Sequence, residues 1–419
     1  MKKQRVFITR AGVSSPIGNS VDEFYRSIED ARCGIKKITR FDTSRLATKI
    51  GGECALNEII EKIGCRELES KFFREDIILR ENPKLAFALN AINLIIENNY
   101  IQPGHLKDTA LFTSAGLEEI DISKLEDAGT SDHWLLSSSH LCAEIPPAFL
   151  GEILCERFGL KIPPVTLVSA CSAGAQAIGE AFKRLSRGSI NAAIAGGTDS
   201  MLFGFGINAF NSIGALSENN DEPANAIRPF DGSRAGTVLG EGAAYFLLEN
   251  ETRLKESGHF PIAEIAGYAS SLDAYNPVQP DPSGKGAALA MSRSLSNASI
   301  EAGKIEYINA HGTGTHHNDI AETLAVKTAF GEHSKKIMMS STKPYFGHLL
   351  SAAGAIELLT VLFAFEKGVI PPTLNLINND PACDLDNVAK IPLKKKINFA
   401  MTNSFGLNGQ NAVITLKKA

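Results

Sequence analysis

The sequence carries no excess of positive charge. Its 419 residues include 42 Lys and Arg against 47 Asp and Glu, which gives a formal net charge of −5 at pH 7. A nucleic-acid-binding protein normally shows a basic excess, so this composition argues against that class. It leaves room for a local basic patch that meets an acidic partner.

The cysteines form no metal or redox motif. No two of them are spaced as Cys-x-x-Cys, which argues against a zinc ribbon and against a thioredoxin-type pair. Because no disulfide framework is predicted, we expect a reducing, cytoplasmic compartment in which each cysteine stays a thiol. The seven are Cys33, Cys54, Cys65, Cys142, Cys155, Cys171 and Cys383.

Long apolar runs are also missing. Near the start only Val6–Ile8 are consecutively apolar, whereas a secretory signal needs an apolar stretch of roughly 7–15 residues. The least polar segment, residues 349–365, is shorter than the roughly 20 residues that span a bilayer and has Glu357 in its middle. We expect a buried core helix there, and neither export nor a membrane span.

Strand and helix patterns alternate along the whole chain. Residues 163–170 predict a strand that opens directly into Cys171, residues 305–310 predict another before His311, and a helix is expected from about residue 319. Such alternation predicts an α/β fold with buried sheets. A chain of this length buries roughly 75% of its unfolded surface, so it needs no disulfide or metal for stability.

Cys171 is the candidate nucleophile. A thiol between a strand and a helix feels the helix dipole and the unpaired N–H groups of the first turn, and we expect both to lower its pKa. The flanking residues 169–174 are small and leave room for an incoming group. For a single cysteine considered alone, an inert buried thiol is the more common outcome.

Two histidines and a lysine are the other candidates. His311 follows a predicted strand, at the edge of a sheet where ligand crevices form. His348 begins the apolar segment, and Lys343 lies five residues before it. Each has an ordinary alternative: a loop histidine, a histidine packed on a helix and a solvated amine.

Four motifs change this interpretation when they are taken together. They are VSACSAGAQAIGEAF, NAHGTGTHHND, KPYFGHLLSAAGAIE and NSFGLNGQN, in this order along the chain. In order and spacing they resemble the elongating β-ketoacyl-acyl carrier protein synthases. The segments VFITRAGVSSPIGNSVDEFYRSI and RPFDGSRAGTVLGEGAAYFLLE are similar to the same family, so the resemblance extends over nearly the whole chain.

The resemblance implies a fold, a reaction and partners. The fold is a thiolase-like five-layer αβαβα sandwich, usually dimeric, with two similar halves, here residues 1–255 and 256–419. The reaction is the decarboxylative Claisen condensation of malonyl-acyl carrier protein with a cysteine-bound acyl chain, with no redox or metal cofactor. The partners are the acyl carrier protein and either a second copy of the chain or a related chain-length subunit.

The resemblance also implies roles for single residues. Cys171 matches the nucleophile, and His311 and His348 match the pair that promotes decarboxylation and stabilises the enolate. Lys343 matches a lysine that organises the site, which we expect to act through Glu322 or Asp319.

Further implied residues bind the substrate or a cation. Phe405 matches a gate, and its backbone N–H would form an oxyanion hole with that of Cys171. Thr313 and Thr315 match residues that hydrogen-bond the phosphopantetheine arm. The resemblance also implies a monovalent-cation site, which fits an acid inside an apolar helix because such an acid needs a positive partner. Its residues are Asn309, Glu357, Thr402 and Asn403.

The chain departs from the family pattern at several places. His316 and His317 stand where the family often has a Pro and a small residue. Together with His311 and His348 they suggest a zinc site, but catalytic zinc usually takes three ligands at compact spacing. We therefore expect no zinc site. Residues 117–119 replace a glycine-rich segment near the dimer contact, and residues 210–217 lack a basic residue. With Leu407 and Asn408, these departures favour type II polyketide or polyene synthesis over type II fatty-acid synthesis.

Four other interpretations remain. A thiolase would need a second catalytic cysteine, and Cys383 lacks the glycine-rich context for it. A starter-unit condensing enzyme would have Asn at position 348, and a catalytically silent chain-length subunit would lack Cys171. A Cys-His thioester hydrolase is the alternative with different chemistry.

Overall fold

The computed structural model describes residues 3–64, 67–69, 77–97, 100–116, 147–385 and 389–419. Elements are numbered here in order within these residues. The strands are β1 Val6–Ser14, β2 Ile35–Lys37, β3 Ile50–Gly52, β4 Glu67–Leu68, β5 Ile77–Ile78, β6 Thr109–Ser114, β7 Val165–Leu167, β8 Ala192–Asp199, β9 Gly242–Asn250, β10 Ala263–Leu272, β11 Tyr307–Asn309, β12 Met338–Ser340, β13 Val369–Ile370, β14 Leu393–Lys394, β15 Phe399–Gly406 and β16 Gln410–Lys418.

The helices alternate with these strands. They are α1 Val21–Glu29, α2 Leu56–Ile63, α3 Pro83–Ile96, α4 Pro103–Leu106, α5 Pro147–Phe158, α6 Ala173–Ser186, α7 Gly204–Ser212, α8 Glu251–Ser257, α9 Lys285–Ala298, α10 His316–Phe330, α11 Lys343–Phe346 and α12 Ala353–Lys367. Short 3₁₀ turns at Ala170–Ser172 and Leu350–Ala352 precede α6 and α12.

Ten strands form two five-stranded sets with the same pairing pattern. The order is β12-β11-β15-β16-β10-β1-β9-β8-β6-β7. From the centre outward, β1-β9-β8 and β10-β16-β15 pair antiparallel, and β8-β6-β7 and β15-β11-β12 pair parallel. The two sets meet where β1 pairs antiparallel with β10.

Helices cover both faces of each set. Strand side chains alternate between faces: Phe246 and Leu248 of β9 pack in the cluster that holds α6 and α12, whereas Tyr245 and Leu247 pack in the cluster that holds α3 and α5. In the other set, Ile414 faces the same central helices, and Val413 packs in a third cluster with α9 and α10. The layers are therefore αβαβα, which confirms the expected thiolase-like sandwich.

The two central helices begin in the same way. Ala170 and Leu350, which open the preceding 3₁₀ turns, have positive φ angles of 48° and 46°. Early glycines then allow close packing: a Cβ on Gly174 would lie 2.8 Å from the Ser351 carbonyl oxygen, and one on Gly354 would lie 2.6 Å from the Ser404 hydroxyl. Packing of this kind places the starts of α6 and α12 side by side.

Several element predictions need correction. The strand expected over residues 163–170 is only β7, so Cys171 lies in a 3₁₀ turn and does not follow a strand directly. The helix expected from about residue 319 begins at His316. The apolar segment is a buried helix as predicted. Among the described residues, no helix is long and apolar enough to cross a membrane. Residues 117–119 lie outside the described residues.

Candidate active site

Cys171 lies where the first half of the chain meets the last strand hairpin. Its thiol is buried, with 6% of the residue exposed, and it accepts a hydrogen bond from the backbone N–H of Leu407. A Cβ at Gly406 would lie only 3.0 Å from the Cys171 nitrogen, so the two backbones approach closely here. The β15–β16 connection is therefore held directly against the thiol.

The expected decrease in the pKa of Cys171 is wrong. Burial raises the pKa of the thiol to about 11, because removal from water penalises the thiolate. The Lys343 ammonium and the Leu407 N–H act in the opposite direction but do not outweigh burial. The thiol is therefore neutral at pH 7, and thiolate forms only at a free-energy cost that these two groups reduce.

His311 and His348 lie together, as the motifs predicted. His311 follows β11, and His348 lies between α11 and the turn before α12. Their ring centroids are 5.3 Å apart with an interplanar angle of 80°. Both rings and Cys171 line one cavity.

Hydrogen bonds fix the neutral tautomer of both histidines. The Leu350 N–H donates to Nδ1 of His348 at 3.3 Å. The Lys343 ammonium, which can only donate, lies 3.2 Å from Nδ1 of His311. Burial, and then the Lys343 charge, hold both pKa values well below the usual range. Each imidazole is therefore neutral and carries its hydrogen on Nε2.

Lys343 pairs with a different acid from the one expected. Its ammonium contacts the Glu357 carboxylate and the His311 carbonyl oxygen, and both side chains of the ion pair are fully buried. The prediction that Lys343 acts through Glu322 or Asp319 is wrong. Burial raises the pKa of Glu357 to about 7, although Lys343 opposes the shift.

Glu322 and Asp319 instead brace the loop that carries His311. Glu322 accepts hydrogen bonds from the backbone N–H of His311 at 2.9 Å and of Gly312 at 2.8 Å. Asp319 accepts from Phe230 at 2.8 Å and from Gly314 at 3.3 Å. Both are buried and neither lines the cavity, so they position the loop and do not face the substrate space.

The cavity has a volume of about 360 Å³ and opens to the surface. Thr313, Thr315 and Phe405 also line it. The two threonine hydroxyls lie 2.8 Å apart, and the Phe405 ring centroid is 5.8 Å from that of His311. The cavity therefore connects Cys171, which also lines it, with the surface.

Each of the four expected cation residues has a buried oxygen without a hydrogen-bond partner. The expected cation residues supply Asn309 Oδ1, Glu357 Oε2, Thr402 Oγ1 and Asn403 Oδ1. Asn309 and Thr402 are register partners of β11 and β15, and a buried polar atom is normally bonded. Oxygen ligands of this type suit a hard cation, so these residues fit one. Ser404 Oγ, which the motifs did not identify, is also buried without a partner.

The described histidines do not form a zinc site with other side chains. Among the residues that the structure describes, no group of three or more His, Cys, Asp and Glu side chains is arranged to hold a metal ion. His311 pairs with His348 and His316 with His317, and Nδ1 of His311 and of His348 is already bonded.

Sequence reasoning missed Asp199, which ends β8. Its carboxylate accepts hydrogen bonds from the Ser351 backbone N–H at 2.9 Å and hydroxyl at 2.7 Å. Its charge contributes to the raised pKa of Cys171. Nothing in the sequence signals this contact, because Asp199 and Ser351 come from opposite halves of the chain.

Comparisons with known proteins agree with this geometry. The family model "Beta-ketoacyl synthase, N-terminal domain" matches residues 3–253, and "Beta-ketoacyl synthase, C-terminal domain" matches residues 262–377. A curated relative, 3-oxoacyl-[acyl-carrier-protein] synthase 2 of Synechocystis sp., is 35% identical over 423 residues, covering 100% of this chain and 99% of the relative.

Solved structures extend the comparison. A ketosynthase bound to the hexaketide, in complex with its type II polyketide synthase acyl-carrier protein, has a TM-score of 0.87 and 27% identity, with 100% of both chains covered. The ishigamide ketosynthase/chain length factor has a TM-score of 0.85 and 26% identity, again with 100% of both chains covered. Since the family models span both halves and the relative matches at full length, the chain belongs to the β-ketoacyl synthase family and is an acyl-transferring condensing enzyme.

Proposed function

We propose that this condensing enzyme lengthens acyl chains held on an acyl carrier protein, in the cytoplasm, with Cys171 as the acylated residue. One observation carries the proposal. Two neutral imidazoles, each with Nδ1 bonded and a hydrogen on Nε2, share a cavity with one thiol. That arrangement suits a reaction in which a negative oxygen develops beside a thioester.

In the first step, the Cys171 sulfur attacks the carbonyl carbon of an acyl thioester. A C–S bond to Cys171 forms, the C–S bond to the carrier breaks, and the carrier thiol leaves with the proton that Cys171 gives up. Covalent catalysis of this kind divides a difficult transfer into two steps. The backbone N–H groups of Cys171 and Phe405 are proposed to stabilise the oxyanion.

In the second step, a malonyl thioester loses CO₂. The C–C bond to the carboxylate breaks, and its electron pair forms an enolate whose oxygen accepts the Nε2–H groups of His311 and His348. The enolate carbon then attacks the acyl carbonyl, and the C–S bond to Cys171 breaks. The products are a 3-oxoacyl thioester on the carrier, CO₂ and the regenerated Cys171 thiol after proton uptake.

Other residues support these steps. Lys343 holds His311 in the donating tautomer and stabilises the thiolate. Thr313 and Thr315 would bind the amides of the phosphopantetheine arm, with the Phe405 ring between them and the thiol. Asn309, Glu357, Thr402 and Asn403 would hold a monovalent cation, which would supply fixed positive charge to this buried region.

Separate assays of the half-reactions test the proposal. His311→Ala and His348→Ala should still acquire an acyl group on Cys171 but release CO₂ from malonyl thioester about 10²–10³ times more slowly, because each loses one oxyanion donor. His105→Ala, outside the cavity lining, is the control. Normal CO₂ release by either variant would contradict the role of that histidine.

Thioester hydrolysis is the competing chemistry. A Cys-His hydrolase would release free acid from the acyl thioester when no malonyl thioester is present. The proposed enzyme should instead hold the acyl group on Cys171 until malonyl thioester arrives. Rapid release of free acid by the wild-type protein would favour the hydrolase.

Different relatives support two candidate pathways. Full-length relatives named 3-oxoacyl-[acyl-carrier-protein] synthase 2 support fatty-acid elongation. The departures in the motifs and the likeness to ketosynthases of type II polyketide synthesis support polyketide or polyene assembly, which we propose as the second candidate. The functional halves are proposed to be residues 1–255 and 256–419, a division that the gap between the two family matches supports.

A further inference from the structure

His316 and His317 stand at the mouth of the catalytic cavity and have no role in the proposed reaction. Both side chains are exposed, and both line the cavity that reaches Cys171. Their ring centroids are 5.7 Å apart with an interplanar angle of 77°. Two adjacent imidazoles at a channel entrance can contact one small anion together.

The segment 311–317, a loop followed by the first two residues of α10, lines the cavity. Exposure rises along it, from 1% at His311 to 7% at Thr313, then to a half-buried Thr315 and the exposed histidines. A phosphopantetheine arm has its groups in the same order: thioester, two amides and phosphate. With the thioester at Cys171 and the amides at the threonines, the phosphate would lie at the mouth.

Few basic or imidazole side chains line the cavity and could bind a phosphate. Outside the catalytic pair, the basic or imidazole side chains of the cavity lining are Arg234, His316 and His317. Arg234 is already paired, since its Nη1 donates to Asp380 at 2.6 Å and its Nε lies 3.6 Å from Asp319. Among the described residues, His316 and His317 are therefore the members of this set without an ion pair.

The contact with Arg234 also fixes which ring nitrogen of His316 carries the hydrogen. Nη2 of Arg234 lies 3.3 Å from Nδ1 of His316. A guanidinium can only donate, so Nδ1 accepts and the ring hydrogen is on Nε2. Within the described part of the chain, neither Nε2 of His316 nor either ring nitrogen of His317 has a hydrogen-bond partner.

We propose that His316 and His317 bind the phosphate of the phosphopantetheine arm through their imidazole N–H groups. This inference rests on the proposed function, since the arm is the carrier's. The segment at residues 210–217 has no basic residue that could bind an anion. The inference gives that task to His316 and His317.

Matched ligands with and without the phosphate test the inference. Calorimetry compares 4′-phosphopantetheine with pantetheine on the wild type, the single variants His316→Gln and His317→Gln, and the double variant. The wild type should bind the phosphorylated ligand about tenfold more tightly, as expected for hydrogen bonds to a charged group. The double variant should lose that preference, and His105→Gln should keep it, with unchanged unfolding temperatures throughout.

The same ligands as malonyl thioesters give a kinetic readout. The double variant should raise KM for the phosphopantetheine thioester about tenfold and remove the difference between the two substrates. The inference is overturned if the wild type shows no preference for the phosphorylated ligand, or if the double variant keeps it. Failure of the wild type to condense either thioester would instead contradict the proposed function, because the binding measurement does not need turnover.

Discussion

Burial governs the ionisation of the residues at the proposed catalytic centre. Loss of water disfavours a charged group, so it raises the pKa of Cys171 and lowers the pKa of His311 and His348. All three are therefore neutral at pH 7. Neutral imidazoles donate from Nε2 without bringing positive charge to the thiol, and the fixed positive charge comes from Lys343.

The pH dependence of Cys171 alkylation tests this picture. With a pKa of about 11, the thiolate fraction of Cys171, and with it the rate of labelling by iodoacetamide, should still rise between pH 8 and pH 10. Lys343→Met should slow labelling at each pH, because it removes the cation that stabilises the thiolate. Peptide mapping separates Cys171 from other thiols, with Cys171→Ser as the blank. A rate that levels off below pH 9 would contradict the raised pKa.

That Cys171, His311 and His348 lie together was predictable from the motifs that contain them, and their hydrogen-bond and ion-pair partners were not. Cys171, His311 and His348 each lie in a motif, and the structure brings them together. The partner of Lys343 was assigned wrongly, because Glu357 and Glu322 are equally plausible acids until the start of α12 is placed. The predicted direction of the pKa shift at Cys171 was wrong for a related reason. The helix start is visible in the sequence, but the depth of burial is not.

At the level of elements, the two central helices depend on glycine at their first turns. The Cβ of alanine at Gly354 would lie 2.6 Å from the Ser404 hydroxyl and 2.7 Å from the Ala175 Cβ. Gly354→Ala should therefore lower the free energy of unfolding by about 1–3 kcal/mol, the usual cost of overpacking, and Gly174→Ala should act in the same direction. Urea unfolding measures both.

Gly303→Ala is the matched control, since nothing lies within 4 Å of a Cβ at that position. It should change stability by no more than about 0.5 kcal/mol. Equal stabilities for Gly303→Ala and Gly354→Ala would show that α6 and α12 do not pack as closely as described.

Element types were predictable from periodicity, and their ends were not. The apolar run at residues 349–365 was correctly expected to be a buried helix. The strand predicted over residues 163–170 ends at Leu167, because the chain must turn before α6, and Ala170 takes a positive φ to do so. Alanine gives no sequence signal for that conformation, unlike glycine.

At the scale of the whole molecule, each half supplies part of the site. Cys171 comes from the first half, and His311, His348 and Lys343 come from the second. Residues 117–119, which the family resemblance places near the dimer contact, lie outside the described residues. Two adjacent carboxylates are costly at an apolar interface unless they meet basic groups or water.

We propose that this chain pairs with a related, catalytically silent subunit that supplies basic groups to Glu118 and Glu119; the alternative is a homodimer in which both carboxylates face water. Co-expression with neighbouring genes of the native host, followed by sizing and mass measurement, should yield a one-to-one heterodimer. Lys substitutions at both glutamates should weaken that pairing. A stable homodimer that is fully active on long chains alone would refute the heterodimer.

In the proposed reaction an acyl group is held on Cys171 and is then consumed by condensation. Mass spectrometry of the protein after incubation with an acyl-carrier thioester should show one acyl adduct, mapped to the peptide that contains Cys171. Adding malonyl-carrier thioester should then remove the adduct and yield CO₂ and the 3-oxoacyl product in equal amounts. An adduct on another residue, or condensation by Cys171→Ala at the wild-type rate, would contradict the account.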